Sequence, residues 1–300
     1  MKCAGAAVLA FWLASGAAMA GQQWPALYPE APIWVGETLI WAEMDADRVM
    51  RLAKSGPETL AHLPGCGPTS VAPYDQGLVV LCHRDGSLQT IALDGQPSRR
   101  IRDAEDGQRL RNPNDSFAGP GGGVWFTDPG QFWALAPAEG RLYRLAPSGT
   151  VTVHAERLFY GNGVYVDADR GRLLVSEHLG RRVLAYPLNA DAVGPARTLV
   201  DLDALGLERP AYPEAGPDGL EMGPDGVLWI AEYGAGRILG WHEDRGLVAV
   251  VEVPAQFVTN IAFGPAGIVA ITGAFENTRR PNEGAVWLTT LDALMQGRLD

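Results

Sequence analysis

Several kinds of chemistry lack their usual marks in this chain. Amphipathic helical periodicity is scarce outside the C-terminal LTTLDALMQGRLD, which reads equally as a last strand and a short tail, so a helical or α/β scaffold is disfavoured. There is no G-x-S-x-G, so the nucleophile-elbow type of serine hydrolase is excluded. The glycine-rich pieces GCGPTS and GAGRIL are incomplete as dinucleotide fingerprints and stand between no strand and helix. The five histidines include no HExxH pair and the cysteines no metal-type spacing, which argues against a closed zinc site. Basic residues are also in deficit, 24 against 35 acidic for a formal charge of −11, and no basic stripe is present, so nucleic acid and anionic membranes are poor partners.

The first residues read as an export leader. Lys2 is followed by an apolar run from Ala4 to Ala18 and then by Ala18-Met19-Ala20, a small-residue cleavage pattern. The run is short for a bilayer span and diluted by Gly5, Ser15 and Gly16. The expectation is a signal peptide over 1–20, a mature chain of 21–300, a periplasmic or secreted location and no membrane insertion after processing. Of three cysteines, Cys66 and Cys82 would survive processing, an even count in a compartment that permits a disulfide between them.

What the mature chain does have is a repeat. Six segments begin at Glu30, Thr69, Asn114, Asn162, Asp218 and Asn260, run through alternating apolar residues, turn at a glycine and enter a second strand. Eleven positions after these anchors come Trp41, Val80, Trp125, Leu173, Trp229 and Ile271. The anchors recur after 39, 45, 48, 56 and 42 residues, a spacing that suits four-stranded blades. No long Ser/Gly-rich or charged linker divides the chain. The reading is all-β, one six-bladed β-propeller, closed either by the stretch from Gln22 to Pro29 or by the tail.

The first strand of each blade lines the central channel, so the anchors are expected to form a ring about its axis. Four of them carry side-chain oxygens: Glu30, Asn114, Asn162 and Asp218. Two carboxylates and two amides make a hard all-oxygen set for one divalent ion, calcium before magnesium, manganese or zinc. Taken singly, Asn-Gly, Asp-Gly and Asn-Asp are common turn pairs. It is their shared register that makes them ligand candidates. His83, Asp128 and Glu232, fourteen positions after an anchor, and Glu177, displaced by one inserted residue, are alternative proton-transfer groups or simply salt-bridged strand ends. The tryptophans Trp34, Trp41, Trp125 and Trp229 read as packing between blades before they read as a sugar platform.

The motifs EAPIW, PNDSFAGPGGGVWFTDP, GNGVYV and GPDGLEMGPDGVLWIAEYGAGRIL resemble those of the family that includes gluconolactonase, senescence marker protein and luciferin-regenerating enzyme. The resemblance spans nearly the whole mature chain. It implies that Glu30, Asn162 and Asp218 bind the metal, and that Asn114 contacts substrate or metal. It departs at Pro68-Thr69-Ser70, where a proline-threonine-glycine is usual, and in the last blade at FGPAGIVAITG. The implied activity is opening of a small lactone, a sugar lactone foremost, with Asp218 as ligand and general base and Asn114 orienting the substrate. A phosphotriester or fluorophosphate hydrolase on the same metal, and a non-catalytic binding propeller, are the competing readings. Substrate choice is expected to lie in the loops RNPNDS, DPGQFWALAPAEG and GLERPAYPEAGPDG.

Overall fold

The computed structural model describes residues 20–299, so the leader apart from Ala20 lies outside the described residues. Short, largely buried strands form six antiparallel sheets, the sixth taking its outermost strand from the N-terminal stretch, and the first strands of successive blades contact one another around a ring. Blade one runs Pro29–Val35, Thr38–Glu43, Arg48–Ala53 and Gly56–His62, and blade two Pro68–Tyr74, Gly77–Cys82, Ser87–Ile91 and Pro97–Ile101. The first strands of blades three to six are Ser116–Ala118, Gly161–Asp167, Gly216–Met222 and Phe257–Phe263.

The ring is closed by the N-terminal stretch. Gln23–Leu27 pairs with Glu283–Thr290 as the outermost strand of blade six, and the chain then turns at Tyr28 into blade one. The C-terminal segment divides as the sequence allowed: the strand ends at Thr290, whose hydroxyl caps a short helix, Leu291–Met295, by accepting from the Ala293 N–H. Among the described residues no helix is long and apolar enough to cross a membrane.

The core sits between blades. Trp41, Trp125 and Trp229 are buried at 0%, 1% and 0% exposure, which makes them inter-blade packing and removes them from any sugar platform. Four second strands carry a buried acid at or next to their last residue. Glu43 pairs with Arg48, Glu177 with Arg182, and Glu232 with Arg181 and Arg237. Asp128 instead accepts from the Arg111 and Asn112 N–H groups. These acids are thus occupied in holding loops, as the salt-bridged reading of those positions anticipated. Cys66 and Cys82 are joined, with a Cα–Cα distance of 4.4 Å, and tie the start of blade two to the end of its second strand.

Candidate functional site

Thr69, Asn162 and Asp218 lie in gaps in the strand pairing, and Glu30 and Asn260 border one. The ladder between first and second strands skips from Glu30 to Ile33, from Pro68 to Ser70, from Gly161 to Val164, from Pro217 to Leu220 and from Val258 to Asn260. Such bulges turn a side chain out of the sheet's alternation and toward the axis. In blades four and five the bulge consumes two residues, Asn162-Gly163 and Asp218-Gly219. Neither glycine has positive φ, so these pairs are not turns. The glycines serve close approach: a Cβ on Gly163 would overlap the Asp218 carbonyl oxygen, and one on Gly219 would overlap the Asn260 amide.

A bulged carbonyl loses its ladder partner, and a hydroxyl from the preceding blade replaces it. Thr127 Oγ1 donates to the Asn162 carbonyl at 2.8 Å and Ser176 Oγ to the Asp218 carbonyl at 2.6 Å. Thr259 Oγ1 donates to Pro29 at 2.7 Å, beside Glu30, and Thr69 Oγ1 to Pro113 at 3.1 Å, beside Asn114. All four hydroxyl residues are buried. Asn162 and Asp218 are therefore held directly by the preceding blade, and Glu30 and Asn114 through the proline before each.

One anchor differs from the expected ring. Glu30, Thr69, Asn114, Asn162 and Asp218 line a cavity of about 380 Å³, whereas Asn260 lines a separate cavity of about 240 Å³ with Ser116 and Glu221. In blade six the bulge consists of Thr259 alone, so Asn260 has rejoined the ladder one position further on. Thr259, not Asn260, corresponds to Thr69, and Asn260 corresponds to Ser70. Both of the latter donate to Asp115 Oδ1, which also accepts from the Ser116 N–H, while Asp115 Oδ2 accepts from the Val164 N–H. Burial pushes Asp115 up to about 6 despite those donors. It is the knot of the channel, joining four blades.

In the larger cavity Glu30, Asn114, Asn162 and Asp218 are exposed by only 8%, 8%, 4% and 4%. Neither carboxylate accepts a hydrogen bond among the described residues, and the buried Asn162 Oδ1 has no partner. Burial, then the charges of Asp218 and Asp115, hold Glu30 well above the usual carboxylate range, and burial with Asp115 does the same to Asp218. Unpaired buried carboxylates beside an orphaned amide oxygen are a donor set that lacks its cation. Among the described residues no group of three or more His, Cys, Asp or Glu is placed to hold a metal, so a site here needs the amides. The residues present fit a hard divalent ion.

Around this floor the wall is aromatic. Phe132 and His178 meet one another and each meets Tyr160 and Tyr233, and Tyr212 meets Tyr233. Phe132 and Tyr212 come from two of the loops expected to select substrate. His83 and His178 are pushed down to about 4 by burial, so both rings are neutral at neutral pH, and His178 Nε2 lies 2.7 Å from the Glu214 carbonyl. Arg280 is the one cation on this lining, at the rim, with its side chain 62% exposed.

The sequence reading missed most of this wall, although part of it recurs at fixed offsets in the repeat. Tyr28 and Tyr160 stand two residues before Glu30 and Asn162, just ahead of the first strands of blades one and four, each in a left-handed backbone conformation with φ of 51° and 57°. Met44, His83 and His178 each directly follow the last residue of a second strand, Tyr233 is the last residue of one, and all four line the cavity. Asn277, Arg280 and Asn282 come from the blade-six loop, which has no counterpart in the repeat.

Comparison with known proteins places the chain. A family model described as SMP-30/Gluconolactonase/LRE-like region matches residues 28–272. The 6-deoxy-6-sulfogluconolactonase of Pseudomonas putida is 26% identical over 272 residues, 88% of each chain. Pentonolactonase XacC of Haloferax volcanii is 29% identical over 249 residues, 78% of this chain and 77% of that protein. A solved gluconolactonase from Xanthomonas campestris superposes with a TM-score of 0.69 at 25% identity, covering 92% of this chain and 93% of that one. The chain belongs to the SMP-30/gluconolactonase/LRE-like family.

Proposed function

We propose that this protein is a lactonase that holds one divalent ion, calcium by the hardness of its donors, among Glu30, Asn114, Asn162 and Asp218 and opens a small lactone, a sugar lactone foremost. The observation that carries the reading is the pair of unpaired, nearly buried carboxylates beside the orphaned Asn162 oxygen at the floor of the aromatic cavity. The lactonases among its relatives support it. When bound there, such an ion supplies carbonyl polarisation and stabilises the oxyanion.

The chain's own groups do the rest. Asp218, whose carboxylate has no hydrogen-bond donor among the described residues, takes the proton of the attacking water. Glu30 and Asn162 hold the ion, and Asn114, on the same cavity lining as Tyr160, orients the substrate. The rings of Phe132, Tyr160 and Tyr233 exclude water and pack against the C–H face of the lactone ring. Neutral His83 and His178 add no charge to compete with the ion. The Cys66–Cys82 bridge supports an exported, oxidising setting, consistent with removal of the leader.

The test is acid release from a panel of aldonolactones, repeated after chelation and after calcium add-back, with a parallel panel of aryl phosphotriesters. Metal-dependent turnover of aldonolactones is expected. Turnover of phosphotriesters alone would move the assignment to that chemistry, and turnover of neither would leave a binding propeller.

A further inference from the structure

A chain of hydroxyls runs along one side of the cavity and has a direction. Asn277 Nδ2 lies 2.8 Å from the Tyr212 hydroxyl and 3.1 Å from the Tyr233 hydroxyl, so the amide donates to both. The Tyr233 and Tyr28 hydroxyls are 2.7 Å apart. A hydroxyl that already accepts is the better donor, so Tyr233 passes its hydrogen to Tyr28. Tyr28 then keeps its own hydrogen, which has no acceptor among the described residues and lies in the cavity that Glu30 and Asp218 also line.

The backbone holds Tyr28 firmly. It occupies the junction between the closing strand and blade one, its N–H donates to Asn282 at 2.9 Å, and its carbonyl accepts from Met44 at 3.1 Å. A left-handed φ of 51° is costly for a tyrosine, and such strain persists where the surroundings enforce it. A phenol's ordinary pKa of about 10 keeps it protonated as a donor throughout neutral pH.

We infer that Tyr28 donates a hydrogen bond to the departing ring oxygen of the lactone, with Asn277 setting the direction of that donation through Tyr233; this rests on the lactonase reading above. Water oxygen bonds to the carbonyl carbon, the carbon–ring oxygen bond breaks, and its electron pair goes to the ring oxygen. The proton that Asp218 took from water ends on that oxygen, giving a hydroxy acid. Tyr28 stabilises the charge that builds on the ring oxygen and keeps its own proton. Asn277 is a positioning residue.

The experiment compares two lactones that differ in leaving group, δ-valerolactone, which releases an alkoxide, and dihydrocoumarin, which releases a phenolate. Wild-type turnover comes first: activity on neither these two lactones nor the aldonolactones would overturn the lactonase reading and this inference with it, and activity on aldonolactones alone would overturn only this inference. Given turnover, Tyr28→Phe is expected to lower kcat about tenfold on δ-valerolactone and less than twofold on dihydrocoumarin, where little charge needs support. Asn277→Asp cannot donate, so it reverses the chain, turns the Tyr28 hydrogen back toward Tyr233, and should reproduce the Tyr28→Phe pattern. The double variant should add no further loss. Equal losses on both lactones, or no loss on either, would overturn the inference while leaving the lactonase reading intact. So would an Asn277→Asp protein that keeps wild-type kcat on δ-valerolactone.

Discussion

Ser176 Oγ lies 2.6 Å from the carbonyl oxygen of Asp218, one blade on, and replaces the strand bond that the Asp218 bulge gives up. A side chain proposed to hold a metal and take a proton is thereby fixed by the blade before it. Ser176→Ala leaves that buried carbonyl unpaired, at a cost of about 1–3 kcal/mol in stability. Calcium affinity should weaken about tenfold, as for other groups that support a metal ligand. Thermal melts and calcium titration of the variant check both figures.

Gly163 and Gly219 tell the Asn-Gly and Asp-Gly pairs apart from turns. Each sits where a neighbouring blade leaves no room for a Cβ. Gly163→Ala and Gly219→Ala should each destabilise by about 1–3 kcal/mol through overpacking. Alanine at a turn glycine that faces solvent, such as Gly246, should leave calcium affinity unchanged, whereas these two should reduce it.

Much of this arrangement is legible in the residues and some is not. Glu30, Asn114, Asn162 and Asp218 share a register that period and spacing expose, and the same register places the buried Trp41, Trp125 and Trp229. Asn260 has that register too, yet the shorter bulge of blade six sends it to the other cavity, because one residue of slip reverses a strand's faces. Bulge length depends on packing between blades, which no single segment encodes. Tyr28 and Tyr160 share an offset of two residues before an anchor, but their left-handed backbone lies ahead of the strands, where alternation gives no face. Asn277 and Arg280 have no such offset, since their loop repeats nothing else in the chain.

The channel carboxylates set the pH dependence of the metal-free protein. Burial raises Glu30 and Asp218 well above their ordinary values and Glu221 to about 8. A carboxylate raised on folding contributes stability that is complete below its unfolded pKa and lost as pH rises through its folded one. Above pH ~7 unfolded histidines are largely neutral, as the buried His83 and His178 already are, so they do not offset the trend. Melting in chelator should therefore fall by a few degrees between pH ~7 and pH ~9, each retained proton costing about 1.4 kcal/mol per pH unit. Calcium should restore stability at the upper end. A metal-free melting temperature that rises over this interval would contradict the protonated, cation-lacking floor.

The bridge between Cys66 and Cys82 closes a loop with a sequence separation of 16 residues beside Thr69 and His83, both on the cavity lining. Thiol counting on the unfolded, unreduced exported protein should find no free thiol. Replacing both cysteines with serine should cost about 3 kcal/mol.

The central claim is that a cation held by Glu30 and Asp218 and the proton acceptor Asp218 act together on a lactone. The measurement that tests it most directly is acid release from glucono-δ-lactone across a calcium titration of the chelated protein, for wild type, Glu30→Gln and Asp218→Asn. Wild-type turnover should rise from near zero to a plateau. Glu30→Gln should reach a similar plateau at about tenfold higher calcium. Asp218→Asn should bind calcium more weakly and stay at least about a hundredfold below the wild-type plateau at saturation. Turnover by the chelated wild type, or an Asp218→Asn plateau equal to wild type, would contradict the account.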